Sequence, residues 1–332
     1  MKLARPCLPL LLAALALAGP ALAADKKTVV YDDFSKPGQA GYTIVNYAMK
    51  WANPFGLGEM ASTGGDTRSF KGNKFSVSAV PFTIAAASDY SVYDHLKYIA
   101  ISTQSFAVPA RGSITISSVI HAETPGTEPG RIIRGTYVNQ PGTPPYAQPT
   151  FEGQQAGAVM NMVDFATGQL FDWFISSHRA FTLIERLPST VTGTPGVGLD
   201  KAYTQIIDEF PITPGPQKVA IRYTRDGGQS LVEFLLNDKV VSRVENVGIP
   251  LDKQGHPYTG VYASLGAGEP LAGRIGSFSI GHGLFSLLDA FPFQHPDRPD
   301  LAVSIPVANR AFGQGARASF DRFTVETVNF DD

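Results

Sequence analysis

The sequence holds a single cysteine, Cys7, among 332 residues. That position falls in the N-terminal stretch read below as a leader, so the rest of the chain can form no disulfide, thiolate metal site or cysteine nucleophile. Long apolar runs are also missing. The longest, Leu8 to Ala18, falls short of the roughly 20 residues that span a bilayer, so no membrane span is expected. Charge of one sign is scarce as well: setting aside Lys2 and Arg5 from the 27 basic residues leaves 25 against 29 acidic ones. Such a near-neutral, mixed surface lacks the electrostatic footprint of a nucleic-acid binder. There is no G-x-S-x-G elbow and no Walker loop. Gly266-Ala267-Gly268 has no third glycine for a dinucleotide fingerprint, which argues against esterase and nucleotide chemistry.

What is present begins with Lys2 and Arg5, then the apolar run, then Ala21-Leu22-Ala23. This basic, apolar, A-x-A order is that of a secretory signal, with cleavage expected after Ala23 and a secreted or periplasmic destination. The mature chain, 24–332, reads as one domain, because no linker divides two composition regimes.

Glycine (33) and proline (25) fall between short β-rich runs, the punctuation of an all-β domain. Thirteen strands are expected: Thr28-Tyr31, Phe75-Val80, Tyr98-Ser102, Gly112-His121, Ala158-Phe165, Leu170-Ser176, Phe181-Leu187, Lys218-Thr224, Ser230-Asn237, Lys239-Val244, Thr259-Ser264, Ile275-Ile280 and Ser319-Val328. That number is enough for two packed antiparallel sheets. The best helix signal is Gly283-Ala290, before Pro292. Glu123 to Gln155 and Pro188 to Leu199 read as long surface loops.

Three segments carry a family resemblance. They are the opener Val30-Tyr31-Asp32-Asp33-Phe34; the pair Val219-Ala220-Ile221-Arg222-Tyr223 and Val232-Glu233-Phe234-Leu235-Leu236-Asn237-Asp238-Lys239-Val240 around a Gly227-Gly228 turn; and the closing Ser319-Phe320-Asp321-Arg322-Phe323-Thr324-Val325. Together they resemble the concanavalin A-like lectin/glucanase superfamily, which implies a two-sheet jelly roll and a glycan ligand. The E-x-D-x-x-E strand of its glucanases is absent, so none of their catalytic residues carries over to this sequence.

Candidate chemistry therefore rests on the segment from Ala158 to Leu187, read as a three-strand meander with turns at Ala166-Gln169 and Ser177-Ala180. Side chains alternate faces along a strand. With those turns, Asp172 is expected directly opposite Glu185, Cβ atoms about 5 Å apart. Two carboxylates so placed would share a proton and serve as an acid and base pair, at a spacing that suits a retaining glycosidase. Trp173, His178 and Arg179 lie close by in sequence and, with Trp51 and His295, are candidate substrate contacts. A structural role competes: Asp172 alternates with Leu170 and Phe174, and Glu185 with Leu183 and Leu187, so this face would be core, with arginines pairing the acids.

The histidines at 95, 121, 178, 256, 282 and 295 show no metal-ligand spacing, so neither a protein-held zinc nor another cofactor is expected. Asp89, Asp94 and Asp208-Glu209 are the candidates for a structural calcium. Three functions follow for a glycan or other small-molecule ligand: a glycoside hydrolase using Asp172 and Glu185, a non-catalytic glycan-binding or envelope protein using Trp51 and Trp173, or a lyase or isomerase using His178, Arg179 and a tyrosine.

Overall fold

A computed structural model of the chain describes residues 25–35, 41–52, 66–84, 94–137, 146–257, 261–262, 264, 266–289 and 303–330. The leader, Asp89 and His295 lie outside the described residues. Along the chain run β1 (Asp25–Asp32), α1 (Ile44–Lys50), β2 (Trp51–Ala52), β3 (Thr67–Phe70), β4 (Phe75–Ala79), β5 (Leu96–Ala107), β6 (Gly112–Glu123), β7 (Ile132–Tyr137) and β8 (Tyr146–Pro149). There follow β9 (Gly157–Asp164), β10 (Gln169–Ile175), β11 (Arg179–Arg186), β12 (Tyr203–Pro211), β13 (Gln217–Asp226), β14 (Gln229–Leu236) and β15 (Lys239–Glu245). The chain ends with β16 (Val261–Tyr262), β17 (Ser277–Phe285), β18 (Val303–Ser304) and β19 (Ala316–Asn329). No helix among the described residues is long and apolar enough to cross a membrane.

Two eight-stranded sheets carry the fold, as the sequence pattern implied. Sheet one runs β15-β14-β13-β6-β19-β4-β3, with β1 also on β19, and sheet two runs β16-β12-β11-β10-β9-β17-β5-β2. Alternation explains how they pack. Ile114, Ile116 and Ile120 of β6 and Val219, Ile221 and Tyr223 of β13 face Met160 and Met162 of β9 and Phe171 and Trp173 of β10, all buried in one apolar core. The closing strand β19 pairs with β6, β4 and β1, the return beside the first strand that the resemblance implied.

Three expectations are corrected. Gly283 to Phe285 ends strand β17 and is not helical, because Leu284 faces the core while Gly283 faces away, a period of two. The span read as a loop from Glu123 holds β7 and β8, which with β18 form a small third sheet over Ile133, Leu288, Val303 and Ile305. Tyr203 to Pro211, read as no strand, pairs along β11.

Candidate functional site

The register of the meander differs from expectation. Asp172 pairs with Leu183 on one side and Asn161 on the other, while Glu185 pairs with Leu170 and Thr204. The β10–β11 turn is centred one residue earlier than read: the Ser176 N–H donates to the Arg179 carbonyl (2.8 Å), and Ile175 pairs with Ala180. Moving a turn's centre by one residue moves the pairing by two. Asp172 and Glu185 therefore keep a common face but become diagonal neighbours, Cα atoms about 7 to 8 Å apart instead of directly opposed.

That face points away from sheet one, so these acids are not in the sandwich core. It is nonetheless covered, by Leu96, Ile99, Ile101, Val159, Phe174, Phe181, Leu183, Ile206 and Phe285, a second apolar cluster. Asp172 is 3% exposed and Glu185 7%. Neither acid meets an arginine in the way the structural reading had it: Arg179 pairs with Glu209 at 2.7 Å and Arg186 with Glu269 at 2.7 Å.

Each acid instead has a neutral partner one strand away. Asn161 Nδ2 donates to Asp172 Oδ1, and Thr204 Oγ1 donates to Glu185 Oε2. Asn161 can lie flat here because residue 281 is glycine; a Cβ at Gly281 would stand 2.6 Å from Asn161 Oδ1 and 2.9 Å from Ile101 Cδ1. The buried Oδ1 of Asn161 has no hydrogen-bond partner. A buried amide atom left unpaired costs roughly 1–3 kcal/mol.

Burial controls the protons. It pushes the Asp172 carboxyl well above the ordinary carboxylate range, and the charge of Glu185 pushes it further, against the hydrogen bond from Asn161. Burial also raises Glu185, to about 7, opposed by the Thr204 hydrogen bond and the charge of His95 and assisted by the charge of Asp289. His95 and Asp289 are themselves joined, the backbone N–H and Nδ1 of His95 both meeting Asp289 Oδ2 at 2.9 Å. The result is a carboxyl pair that holds protons near neutral pH, the condition for general acid chemistry.

The other expected contacts do not gather at this face. Trp173 points into the sandwich, 0% exposed, its Nε1 donating to the Ala220 carbonyl at 3.0 Å. Trp51 is also interior, its Nε1 donating to Asp32 Oδ2 at 2.8 Å. As stacking platforms both are corrected, since neither offers a ring face to a ligand. His178 sits exposed on the β10–β11 turn, 3.4 Å from Glu152, and Arg179 is held by Glu209. Among the calcium candidates, Asp94 is neutralised by Lys97 (2.9 Å) and Arg310 (2.7 Å), and Asp208 accepts from Ser242 Oγ (2.7 Å). Among the described residues no group of three His, Cys, Asp or Glu side chains is arranged to hold a metal ion.

Sequence reasoning missed Asn161, Thr204, Gly281, His95 and Asp289. Asn161 alone carried a signal, as the polar residue on the outward side of an apolar strand.

Solved structures with a similar course of chain include an endo-1,3-β-glucanase from Streptomyces sioyaensis, 13% identical, with 92% of this chain and 90% of that one covered at a TM-score of 0.36. A β-agarase B from Zobellia galactanivorans is 7% identical, with 91% and 94% covered at a TM-score of 0.42. A legume lectin-like domain from Entamoeba histolytica is 8% identical, with 91% and 99% covered at a TM-score of 0.37. Likenesses this distant carry no argument about activity. A search of curated proteins finds no match. The family comparison is more direct: residues 31–329 match the model described as "Family of unknown function (DUF6081)", and the chain belongs to that family.

Proposed function

We propose that the protein is an exported carbohydrate-active enzyme that cleaves a glycosidic bond at the outer face of sheet two. The observation that carries this reading is the pair Asp172 and Glu185, two acids on one face, diagonal to each other, with both protons held by burial. Asp172, the group pushed further, keeps its proton and protonates the leaving oxygen; Glu185, ionised above about pH 7, takes a proton from the attacking water. Diagonal placement sets the two acids further apart than direct opposition would, in the direction of the inverting arrangement and away from the retaining one the opposed register implied. Export follows from the leader read in residues 1–23, whose removal is checked by the intact mass of the mature chain.

The test is turnover on a panel of neutral and acidic polysaccharides by the wild type, D172N and E185Q. Each variant is expected to lose about a hundredfold or more in kcat, the contribution of a general acid or base. Unchanged turnover in both variants removes the acid pair from the mechanism. The burial of both acids favours a second reading, a glycan-binding protein without catalysis. On that reading a glycan raises the Tm while the wild type turns over nothing on the panel.

A further inference from the structure

At the end of the sandwich where β11 gives way to β12, three cations converge on one carboxylate. Glu269, in the loop between β16 and β17, meets Arg186 Nη2 at 2.7 Å through Oε1, Lys201 Nζ at 3.3 Å through Oε2, and Arg274 Nη1 through Oε1. The loops are fixed by close backbone approach. Gly248 adopts φ +100°, and a Cβ there would stand 2.1 Å from the Glu269 carbonyl oxygen. Gly168 adopts φ +75°, with the Leu187 carbonyl 2.3 Å from where its Cβ would be.

Arg186 is the unusual member. Its side chain is wholly buried, its Nε donates to the Thr167 carbonyl at 3.0 Å, and its Nη1 is buried with no hydrogen-bond partner. A guanidinium presents five N–H donors in a fork matched to two oxygens of one anion. Glu269 takes only one tine of that fork, leaving two charged N–H groups unpaired where water does not reach. Burial alone would raise the Glu269 carboxyl, yet Arg186, Lys201 and Arg274 together pull it down to about 2. Two further carboxyls lie nearby. Asp164 feels the charge of Arg274 but is occupied by Thr167 Oγ1 (2.6 Å) and the Ala166 N–H (3.2 Å), and Asp200 turns its own oxygen toward Gly198.

We propose that Arg186, Lys201 and Arg274 form an oxyanion-binding site, with the unpaired Nη1 of Arg186 as its anchor, that takes the carboxylate or sulfate of an acidic sugar. The sugar part rests on the glycan reading above. Arg186 directly follows Glu185 on β11, and Gln169 ties the two ends together by donating to the Glu185 carbonyl (3.0 Å) and accepting from Tyr203 OH (3.1 Å). Side chains alternate along β11, so Arg186 leaves the strand on the face opposite Glu185, and the charged group of an acidic sugar would meet it at the end of the sandwich and not over the Glu185 face. The oxyanion itself comes from either of two substituents, a uronate or a sulfate ester, and the probes separate them.

The experiment is calorimetric titration of the full mature chain with sodium sulfate, glucuronate and, as control, galactose. At least one of the anions is expected to bind saturably and galactose not at all; the tighter anion names the substituent. Replacing the exposed cations in a K201Q/R274Q double variant is expected to weaken that Kd about tenfold or more, as the loss of charge partners around a bound anion does. These side chains are partly exposed, so the fold is expected to survive where loss of Arg186 could abolish it. No saturable binding of either anion, an unchanged Kd in the double variant, or a crystal soaked in sulfate with no sulfate at Arg186 Nη1 overturns the site. D172N and E185Q are expected to keep the anion affinity of the wild type. Anion binding without polysaccharide turnover therefore removes the acid-pair reading and leaves this one standing, while turnover without anion binding does the reverse.

Discussion

Replacing His282 with glutamine tests how strongly the sandwich core refuses a charge. His282 is 0% exposed and lies among Trp51, Phe75, Phe320 and Phe323, with ring centroids 4.5 Å away for Trp51 and 4.7 Å for Phe320. Its Nε2 shares a hydrogen bond with Tyr47 OH (2.8 Å), which in turn meets Tyr98 OH (2.6 Å), and its Nδ1 has no partner. Burial lowers its pKa from 6.5 to about 3. On acidification the unfolded chain takes up this proton first, so the stability it withholds is intact above pH 6.5 and is lost progressively down to pH 3. At roughly 1.4 kcal/mol per pKa unit, the loss is close to 3 kcal/mol by pH 4.5 and about 5 kcal/mol in full. The raised carboxyls Asp172 and Glu185 work in the opposite direction and the lowered carboxyl of Glu269 in the same one, so the wild type alone is uninformative. The difference between wild type and H282Q isolates the imidazole, because glutamine keeps a polar partner for Tyr47 and cannot titrate. Urea unfolding at pH 7 and pH 4.5 should show H282Q gaining about 3 kcal/mol on the wild type between the two. Parallel pH dependence in the two proteins would refute the reasoning, whatever the absolute cost of the substitution.

Glu185 gives the mirror-image case. Its folded pKa of about 7 lies above the ordinary 4.5, so its contribution is intact below pH 4.5 and is lost as pH rises through 7; relative to the wild type, E185Q should gain up to about 3 kcal/mol between pH 4.5 and pH 8, read from Tm or urea midpoints, and a relative loss would contradict the placement. Arg310 is 1% exposed and pairs with the equally buried Asp94, so R310M should cost about 3 kcal/mol in urea unfolding by leaving that carboxylate to Lys97 and its remaining contacts; a cost under about 1 kcal/mol would place the pair in solvent.

How far the sequence foretold this site is seen best in the meander. Alternation in Leu170 to Phe174 was enough to put Asp172 and Glu185 on one face, and the same alternation, followed one residue further, already turned Trp173 inward. The partner of each acid was out of reach, because it depends on which residues close a turn, and Ser176 and Arg179 do so through one side-chain hydroxyl and one backbone bond. β12 was hidden for a related reason. Its register shifts opposite Thr182 and Leu183, and the bulge breaks the period of two just where Asp208 and Glu209 interrupt the apolar pattern. The cover over the acids comes from Ile99, Val159, Phe181 and Phe285, four distant segments that no local pattern joins. The cation cluster was invisible for the same cause, its members lying at the end of β11, in the loop to β12 and in the distant loop between β16 and β17.

The position of β19 has a consequence for how the molecule is made. Ala316–Asn329 sits in the middle of sheet one, bonded to β6, β4 and β1, although it follows every other described strand in sequence. While synthesis is under way, β6 and β4 each lack their neighbour, and the nascent polypeptide has an open seam through its main sheet. The contacts that seal it pair residues far apart in the chain, Asn329 with Gly112 and with Asp25, and such non-local pairing makes closure of the sheet slow.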